Sequence, residues 1–166
     1  MENYNIEDHI HNYAVWTAAR AVQRGFNGAN TDSISDAINK ASLKNIFFEK
    51  REWSKSEFEK EHKKCIEIIR ECLKKSNCTY GQAAKIIAIY LKTAVVIPNR
   101  GEDNLSRIIH PPIDRILLNK LKLKNANDKT PNWTELDELE YLKIINDIRN
   151  ILGDLPMWKI EKYWHV

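Results

Sequence analysis

Two lysines in one apolar helix are the first residues whose type and spacing allow chemistry. Lys85 and Lys92 are seven positions apart in the segment AAKIIAIYLKTAVVI, and Gln82 precedes Lys85 by three, so all three share one helical face. An amine in an apolar wall is partly desolvated, which lowers its pKa and leaves a neutral nucleophile for carbon. The other interpretation is a solvent-facing edge, with the lysine stems lying along apolar surface. The pattern leaves both interpretations open.

Asp114 is an acid whose position is constrained by the residues before it. In the stretch His110-Pro-Pro-Ile-Asp114-Arg115 the two prolines predict a helix start, because a first-turn residue needs no N–H. A carboxylate in that turn faces the positive end of the helix and is held in place there. Ordinary helix-start chemistry would explain the same acid. His110 fits a satisfied helix-entry residue better than a catalytic base.

The remaining histidines and the cysteines do not have the spacing of a metal site. His9 and His11 are two apart, on different faces of a helix, and the odd set Cys65, Cys72 and Cys78 cannot supply four thiolates. We therefore predict no metal and no cofactor. Unpaired cysteines, an N-terminus without a signal pattern and the absence of an apolar run of about 18 residues predict a cytoplasmic protein with no membrane partner.

The elements that must position these residues are helices. The chain has 166 residues, of which 43% are apolar and 30% charged, with only 5 Gly and 5 Pro. This composition predicts a single domain over residues 1–166 with few long loops. The segment 79–97 is apolar on nearly every side, as a buried helix is. We expect an all-α bundle of about six to eight helices around this central helix.

Capping patterns and apolar spacing set the expected boundaries. Pairs with capping-box spacing are Ser33 with Asp36, Ser54 with Glu57, and Thr79 with Gln82. The expected helices run from His9 to Arg24 with Gly25 after it, from Ser33, from Ser54 to Lys75, over 79–97, through SRIIHPPIDRILLNKL, from Thr134 to Leu152 with Gly153 after it, and from Pro156. Expected apolar positions are Tyr13, Trp16, Ala19 and Ala21 in the first helix and Phe58, Cys65, Ile68, Ile69, Cys72 and Leu73 in the third. The run Asn45–Phe48 is ambiguous with a strand.

Together these residues resemble a known family. The stretch from Gln82 through Lys85 to Lys92, then a loop and Pro111-Pro-Ile-Asp114-Arg115, resembles the helix-hairpin-helix DNA glycosylase superfamily. It looks most like the archaeal 8-oxoguanine DNA glycosylase branch, at a distance. The resemblance covers about residues 80–121 and, more weakly, 156–164. Of the two glycines usual in the hairpin only Gly81 is present.

The resemblance implies a function and roles for particular residues. Lys85 would attack the sugar C1′ of a damaged nucleotide flipped out of duplex DNA, with Asp114 assisting, and a Schiff base would follow. The partner would be damaged duplex DNA, and we expect a monomer. The residues implied in substrate binding are Gln82, Lys92, His110, Arg115, Glu161 and Trp164, the last two by reading and stacking on the extruded base.

Two other functions remain open. A non-catalytic helical DNA- or protein-binding module, for example in phage defence, predicts that Lys85 is exposed and far from Asp114. A helical ribonuclease would need an Arg–His pair, for which Arg107 and His110 are the nearest candidates. The net charge of +3 permits nucleic-acid contact without requiring it. Basic residues placed for phosphate contact are Arg20, Arg24, Lys120, Lys122 and Lys124.

Overall fold

The computed structural model of the protein describes residues 3–23 and 26–164, which form helices and no strand. The α-helices are α1 (Ile6–Val22), α2 (Thr31–Lys40), α3 (Leu43–Phe47), α4 (Lys55–Cys72), α5 (Tyr80–Leu91), α6 (Asn104–Ile108), α7 (Arg115–Lys120) and α8 (Glu138–Leu152). Short 3₁₀ turns span Lys74–Ser76, Trp133–Glu135 and Met157–Tyr163, and α5 continues as a π-helical turn over Lys92–Val96. The predicted all-α fold is confirmed.

The helix α5 is the centre of the fold, as its apolar sequence predicts. Eleven of its twelve residues are buried, and α1, α4 and α8 all pack against it. Ile86, Ile87 and Leu91 are fully inaccessible to solvent, as expected of a helix that is hydrophobic all round. The π-helical turn carries the axis on to Pro98, which cannot continue a helix. The predicted central segment 79–97 is thus confirmed.

Two of the three predicted capping boxes are confirmed. The side chain of Ser54 accepts from the N–H of Glu57, and that of Thr79 accepts from the N–H of Gln82, each with the reciprocal bond. The third was predicted at Ser33 with Asp36 and is wrong. Asn30 caps α2 instead, and Ser33 occupies the third helical position, because Asn is at least as good an N-cap as Ser.

The first helix also begins earlier than predicted. Asn5 is its N-cap and forms a capping box with Asp8, so the helix starts before His9. Tyr13 and Trp16 were expected on the apolar face, but they are 58% and 51% exposed. Ala19, also expected there, is buried, and the other small residues Ala14 and Ala18 complete the buried face. Arg24 and Gly25, the predicted end, lie outside the described residues.

The single helix predicted through SRIIHPPIDRILLNKL is wrong. Two short helices, α6 and α7, flank an extended segment that contains both prolines. A residue before proline is disfavoured in the helical region, so His110 and Pro111 cannot continue α6. Asp114 is therefore not in the first turn of a proline-started helix. It is the N-cap of α7, and its Oδ1 accepts from the N–H of Leu117 at 2.8 Å.

Other helix boundaries also differ from the predicted ones because of nearby capping residues. The helix predicted from Thr134 begins at Glu138, because Asp137 and Glu140 form a capping box. Its end before Gly153 is confirmed. The ambiguous run 45–48 belongs to α3 and its C-cap, and the segment after Pro156 is 3₁₀ rather than α-helical. In α4 the expected core residue Ile68 is 39% exposed.

A buried polar cluster lies where α4, α8 and the segment before α7 meet. His110 is 1% exposed and His62 is 3% exposed, with ring centroids 4.7 Å apart. Nε2 of His110 lies 3.2 Å from an Arg149 nitrogen, and Nδ1 lies 3.1 Å from the Tyr141 hydroxyl. Because arginine can only donate, Nε2 of a neutral His110 accepts and Nδ1 carries the proton. Arg149 also pairs with Glu59 at 2.6 Å.

Both histidines are kept neutral by this environment. Burial lowers the pKa of His62 from its usual value of 6.5 to about 3, and its Nε2 is buried without a hydrogen-bond partner. Burial and the charge of Arg149 hold the pKa of His110 well below its usual value. An imidazolium here would be a buried charge beside a guanidinium. The cluster therefore stabilises the fold only while its histidines are unprotonated.

Acid should unfold the protein through this cluster. The unfolded chain binds a proton at His62 below about pH 6.5 whereas the folded chain resists it, so the free energy of unfolding falls by up to about 1.4 kcal/mol per pH unit for this residue. His62→Phe keeps an aromatic ring and should reduce this slope between about pH 6.5 and pH 4. Urea unfolding at several pH values measures it. The exposed His9→Asn is the control, and an unchanged slope in His62→Phe would contradict the account.

Candidate functional site

Lys85 lies on a buried face of the central helix α5 rather than on a solvent-facing edge. The residue is 9% exposed, and its Nζ lies 3.9 Å from the centroid of the Trp133 ring. Burial lowers the pKa of the Lys85 amine below its usual value of 10.5, against the opposing effect of the Asp114 charge. The Trp133 ring stabilises the ammonium form by about 1 kcal/mol through a cation–π interaction. This offsets only part of the free-energy cost of removing the charged amine from water. The amine is therefore poised closer to its neutral form than an exposed lysine.

Gly81 allows the Trp133 turn to approach this lysine. A Cβ at Gly81 would lie 2.2 Å from the carbonyl oxygen of Trp133 and 2.9 Å from Cβ of Leu136. The Gly81 N–H donates to the carbonyl of Leu136 at 3.1 Å, and the Thr79 hydroxyl donates to the carbonyl of Thr134 at 2.9 Å. The resemblance implied a hairpin glycine whose N–H approaches phosphate. Here that N–H is occupied, and the glycine instead seats the turn on α5.

Asp114 faces the same region as Lys85. Its position as N-cap of α7 uses Oδ1, and Oδ2 accepts from the Trp164 indole Nε1 at 2.7 Å. Two donors therefore fix both carboxylate oxygens, on a residue that is only half-buried. The carboxylate is near enough for its charge to raise the pKa of Lys85. The Asp114 charge therefore acts on the Lys85 amine, but the two side chains form no hydrogen bond or ion pair with each other.

The C-terminal 3₁₀ segment closes the other end of this face. Lys92 forms an ion pair with Glu161, and its Nζ lies 5.9 Å from the centroid of the Trp164 ring. Both partners are half-buried, with side-chain exposures of 33% for Lys92 and 20% for Glu161. Trp164 itself is 38% exposed and reaches Asp114. Residues predicted from three separate segments therefore meet along the Lys85 face of α5.

Three of the other predicted binding residues have different surroundings. His110 lies in the buried cluster with Tyr141 and Arg149 and presents no surface to a ligand. Arg115 is exposed at the first position of α7, next to Asp114. Gln82 is buried, and its Oε1 accepts from the Thr79 N–H at 3.0 Å. Only Arg115 of these three remains available at the surface beside the carboxylate.

Trp133 is the site residue that sequence reasoning missed. Tryptophans are most often core residues, and the stretch around Trp133 has no periodicity that would place it against Lys85. The indirect signal was Gly81, a glycine near the start of a helix whose other residues are mostly apolar. Such a glycine indicates that another backbone comes close. It indicates the approach but not which segment makes it.

A cleft lies elsewhere in the molecule. It has a volume of about 630 Å³ and lies between the loop Phe47–Trp53, the end of the π-helical turn and the start of α6. Lys85 and Asp114 do not line it. Among residues 3–23 and 26–164 no group of three His, Cys, Asp or Glu side chains could hold a metal ion. None of the helices described is long and apolar enough to cross a membrane.

Comparison with known proteins adds no family to this geometry. No protein-family model matches the chain, and no curated protein or solved structure is significantly similar to it. The argument for a function accordingly depends on the chemistry of the Lys85 and Asp114 region.

The Lys85 amine should respond to removal of the Asp114 charge. Asp114→Asn keeps an N-cap side chain but removes the charge that raises the amine's pKa, so the pKa of Lys85 should fall further. Reductive ¹³C-methylation of the lysines followed by NMR titration measures each midpoint. Asp147→Asn removes a half-buried carboxylate that pairs with Lys143 and is the matched control. A Lys85 midpoint that rises or stays constant in Asp114→Asn would contradict the geometry.

Proposed function

We propose that the protein is a DNA glycosylase with associated abasic-site lyase activity, in which Lys85 is the nucleophile and Asp114 assists it. The observation that carries the proposal is a lysine amine that is buried beside the Trp133 ring, whose pKa is lowered by burial and raised in turn by the charge of the hydrogen-bonded Asp114 carboxylate. The similarity of residues 80–121 to the helix-hairpin-helix glycosylases points to the same pair. Perturbed titratable groups of this kind are characteristic of catalytic sites.

The proposed reaction begins with the neutral amine of Lys85. Its lone pair forms a bond to C1′ of the flipped nucleotide, and the C1′–N bond breaks so that its electron pair leaves with the base. The departing base takes up a proton, and the ammonium formed on Lys85 loses one to Asp114 or water. Opening of the sugar ring then gives the iminium between Lys85 and C1′. Loss of a C2′ proton expels the 3′ phosphate, and water hydrolyses the iminium to restore the amine.

Asp114 suits the assisting role on electrostatic grounds. Positive charge develops on the sugar as the C1′–N bond lengthens, and a carboxylate held in place stabilises that charge without reorganising. Its position as the N-cap of α7 fixes it on a helix rather than on a mobile loop. The Trp164 indole N–H constrains the second oxygen. The N-cap bond to Leu117 orients the carboxylate throughout the proposed reaction, whereas the bond to Trp164 holds the second oxygen only until a nucleotide binds.

Because the Lys85 amine is buried beside the Trp133 ring, neighbouring side chains must move to admit a nucleotide, and we propose that the C-terminal segment does so. Lys85 is 9% exposed, and Trp164 together with the Lys92–Glu161 pair lies along the same face. A nucleotide whose C1′ comes close to the Lys85 amine would displace the Trp164 indole from Asp114. The freed indole face could then stack on the extruded base, as the resemblance implies for this residue. Substrate binding and opening of this segment are therefore one coupled event in the proposed reaction.

A non-catalytic DNA- or protein-binding module is the second candidate function. The observation that favours it is the engaged Gly81 N–H, which removes the backbone donor that the hairpin would offer to phosphate. The 9% exposure of Lys85 contradicts the exposed lysine expected for this module, so in this case Lys85 is a buried structural residue beside Trp133. Such a module would bind its partner without any covalent chemistry. The two functions differ in what happens to a bound abasic site.

Strand incision separates the two functions. The chain should cleave duplex DNA that carries an abasic site, and Lys85→Gln should lose this activity completely because a glutamine amide cannot form an iminium. Asp114→Asn should slow incision by about a hundredfold or more. Gel analysis of end-labelled duplexes, with either an abasic site or 8-oxoguanine, measures the rates.

Lys143→Gln, at an exposed lysine on α8, is the control for incision and should cleave like the wild type. Lys85→Gln should remain folded, because the substitution removes a buried charge. Equal incision by Lys85→Gln and wild type would exclude Lys85 as the nucleophile. A folded wild-type protein that binds these duplexes and never incises them would support the binding module.

A further inference from the structure

The outer face of α1 carries a row of exposed aromatic side chains. Tyr13 is 58% exposed and Trp16 is 51% exposed, and Tyr4 just before the helix is 61% exposed. Ile6, at 69%, extends the row toward the N-terminal end. Large exposed apolar side chains occur singly on most surfaces, but here they follow one another on one element. The row indicates a surface that has a partner.

The helical spacing places these residues on one side. Positions 6, 9, 13, 16 and 20 differ by three or four, so their side chains fall within about 80° around the helix axis. The buried residues of α1, such as Val15 and Val22, lie on the opposite side and pack on the core. From Ile6 to Arg20 the row is about 21 Å long. The row is therefore an outward-facing strip, which we call the α1 strip: Tyr4, Ile6, His9, Tyr13, Trp16 and Arg20.

The rings of the α1 strip are ordered in pairs. Tyr13 and Trp16 are stacked, with ring centroids 5.8 Å apart and planes 25° apart. Tyr4 and His9 meet edge to face at 6.0 Å, and the Tyr4 hydroxyl lies 3.0 Å from Nδ1 of His9. Side-chain rings that already pack against each other lose little conformational freedom when the ring of a ligand stacks on them. The strip is preorganised for planar ligands.

The charge of the α1 strip favours an anionic partner. Arg20 ends the row, and its guanidinium donates to the Gln23 side chain at 3.3 Å. The acidic residues of α1, Glu7 and Asp8, lie about 100° and 200° round the axis from Ile6, off the strip, and Asp8 pairs with Lys44. Described residues of the strip thus include a cation and no carboxylate. Aromatic rings combined with a cation suit unpaired bases on a phosphate backbone.

We propose that the α1 strip binds single-stranded nucleic acid, with bases stacking on Tyr13 and Trp16 and a phosphate paired with Arg20. Paired bases inside a duplex do not present their faces to a helix surface, so the ligand is an unpaired segment. A strip about 21 Å long accommodates only a few nucleotides. Binding should be tolerant of sequence, because every base has a face that can stack.

This surface is separate from the Lys85 face. His11, on the inner side of α1, lies within 2.7 Å of the Tyr90 hydroxyl, so α1 packs on the Tyr90 side of α5. Tyr90 is five residues beyond Lys85, which places it about 140° round the helix axis. A strand on the α1 strip therefore does not contact Lys85. The inference stands whether or not Lys85 is catalytic.

Fluorescence anisotropy with a labelled oligothymidylate and the full chain tests the proposal. Trp16→Ala and Tyr13→Ala should each weaken binding about tenfold, because each removes a stacking surface. Arg20→Gln should reduce the slope of log affinity against log salt by about 0.7, the value for one phosphate contact on a single strand. Leu139→Ala, at a 78% exposed apolar residue on α8, is the control and should bind like the wild type.

Two results would overturn the proposal. The first is an oligothymidylate affinity that is absent, or that Trp16→Ala and Tyr13→Ala leave unchanged. The second is a protein partner: sedimentation equilibrium would show self-association that Trp16→Ala abolishes, without strand binding. Loss of incision with intact strand binding would count against the Lys85 proposal alone. The two failures are therefore distinguishable.

Discussion

The burial of the Lys85 amine is the constraint around which this side of the molecule is arranged. The most apolar helix of the fold carries a group that water solvates strongly, so the neighbours of that group must compensate for the lost water. The Trp133 ring and the Asp114 charge do so in part, and neither is adjacent to Lys85 in sequence. Gly81 makes the first of these contacts possible because no side chain separates α5 from the Trp133 turn.

Contacts near Lys85 also join the start of α7 to the C-terminal 3₁₀ segment. The start of α7 supplies Asp114, and the C-terminal 3₁₀ segment supplies Trp164 to one of its oxygens. Two helical turns beyond Lys85, the Lys92–Glu161 pair attaches the same C-terminal segment to α5 a second time. A ligand that competes for Asp114 must work against both contacts. These two contacts hold the C-terminal segment against α5 and α7.

Local signals predicted the parts of this fold that depend on neighbours in sequence. The caps at Ser54 and Thr79 and the buried character of 79–97 follow from residues within a few positions. The segment around Pro111 was predicted wrongly because its helical start signal competes with the restriction that proline places on the preceding residue. The position of Trp133 and the burial of His62 depend on contacts between distant segments, which periodicity does not encode. Proximity of Lys85 and Asp114 was expected only through the resemblance.

Borohydride trapping tests the central claim most directly, because it reports the covalent bond itself. Purified protein is mixed with duplex DNA that carries an abasic site, and borohydride reduces any iminium to a stable secondary amine. Mass spectrometry of the digested adduct then locates the modified residue. The account predicts an adduct on Lys85 that disappears in Lys85→Gln. A folded protein that forms no adduct, or forms it on another amine, would contradict the account.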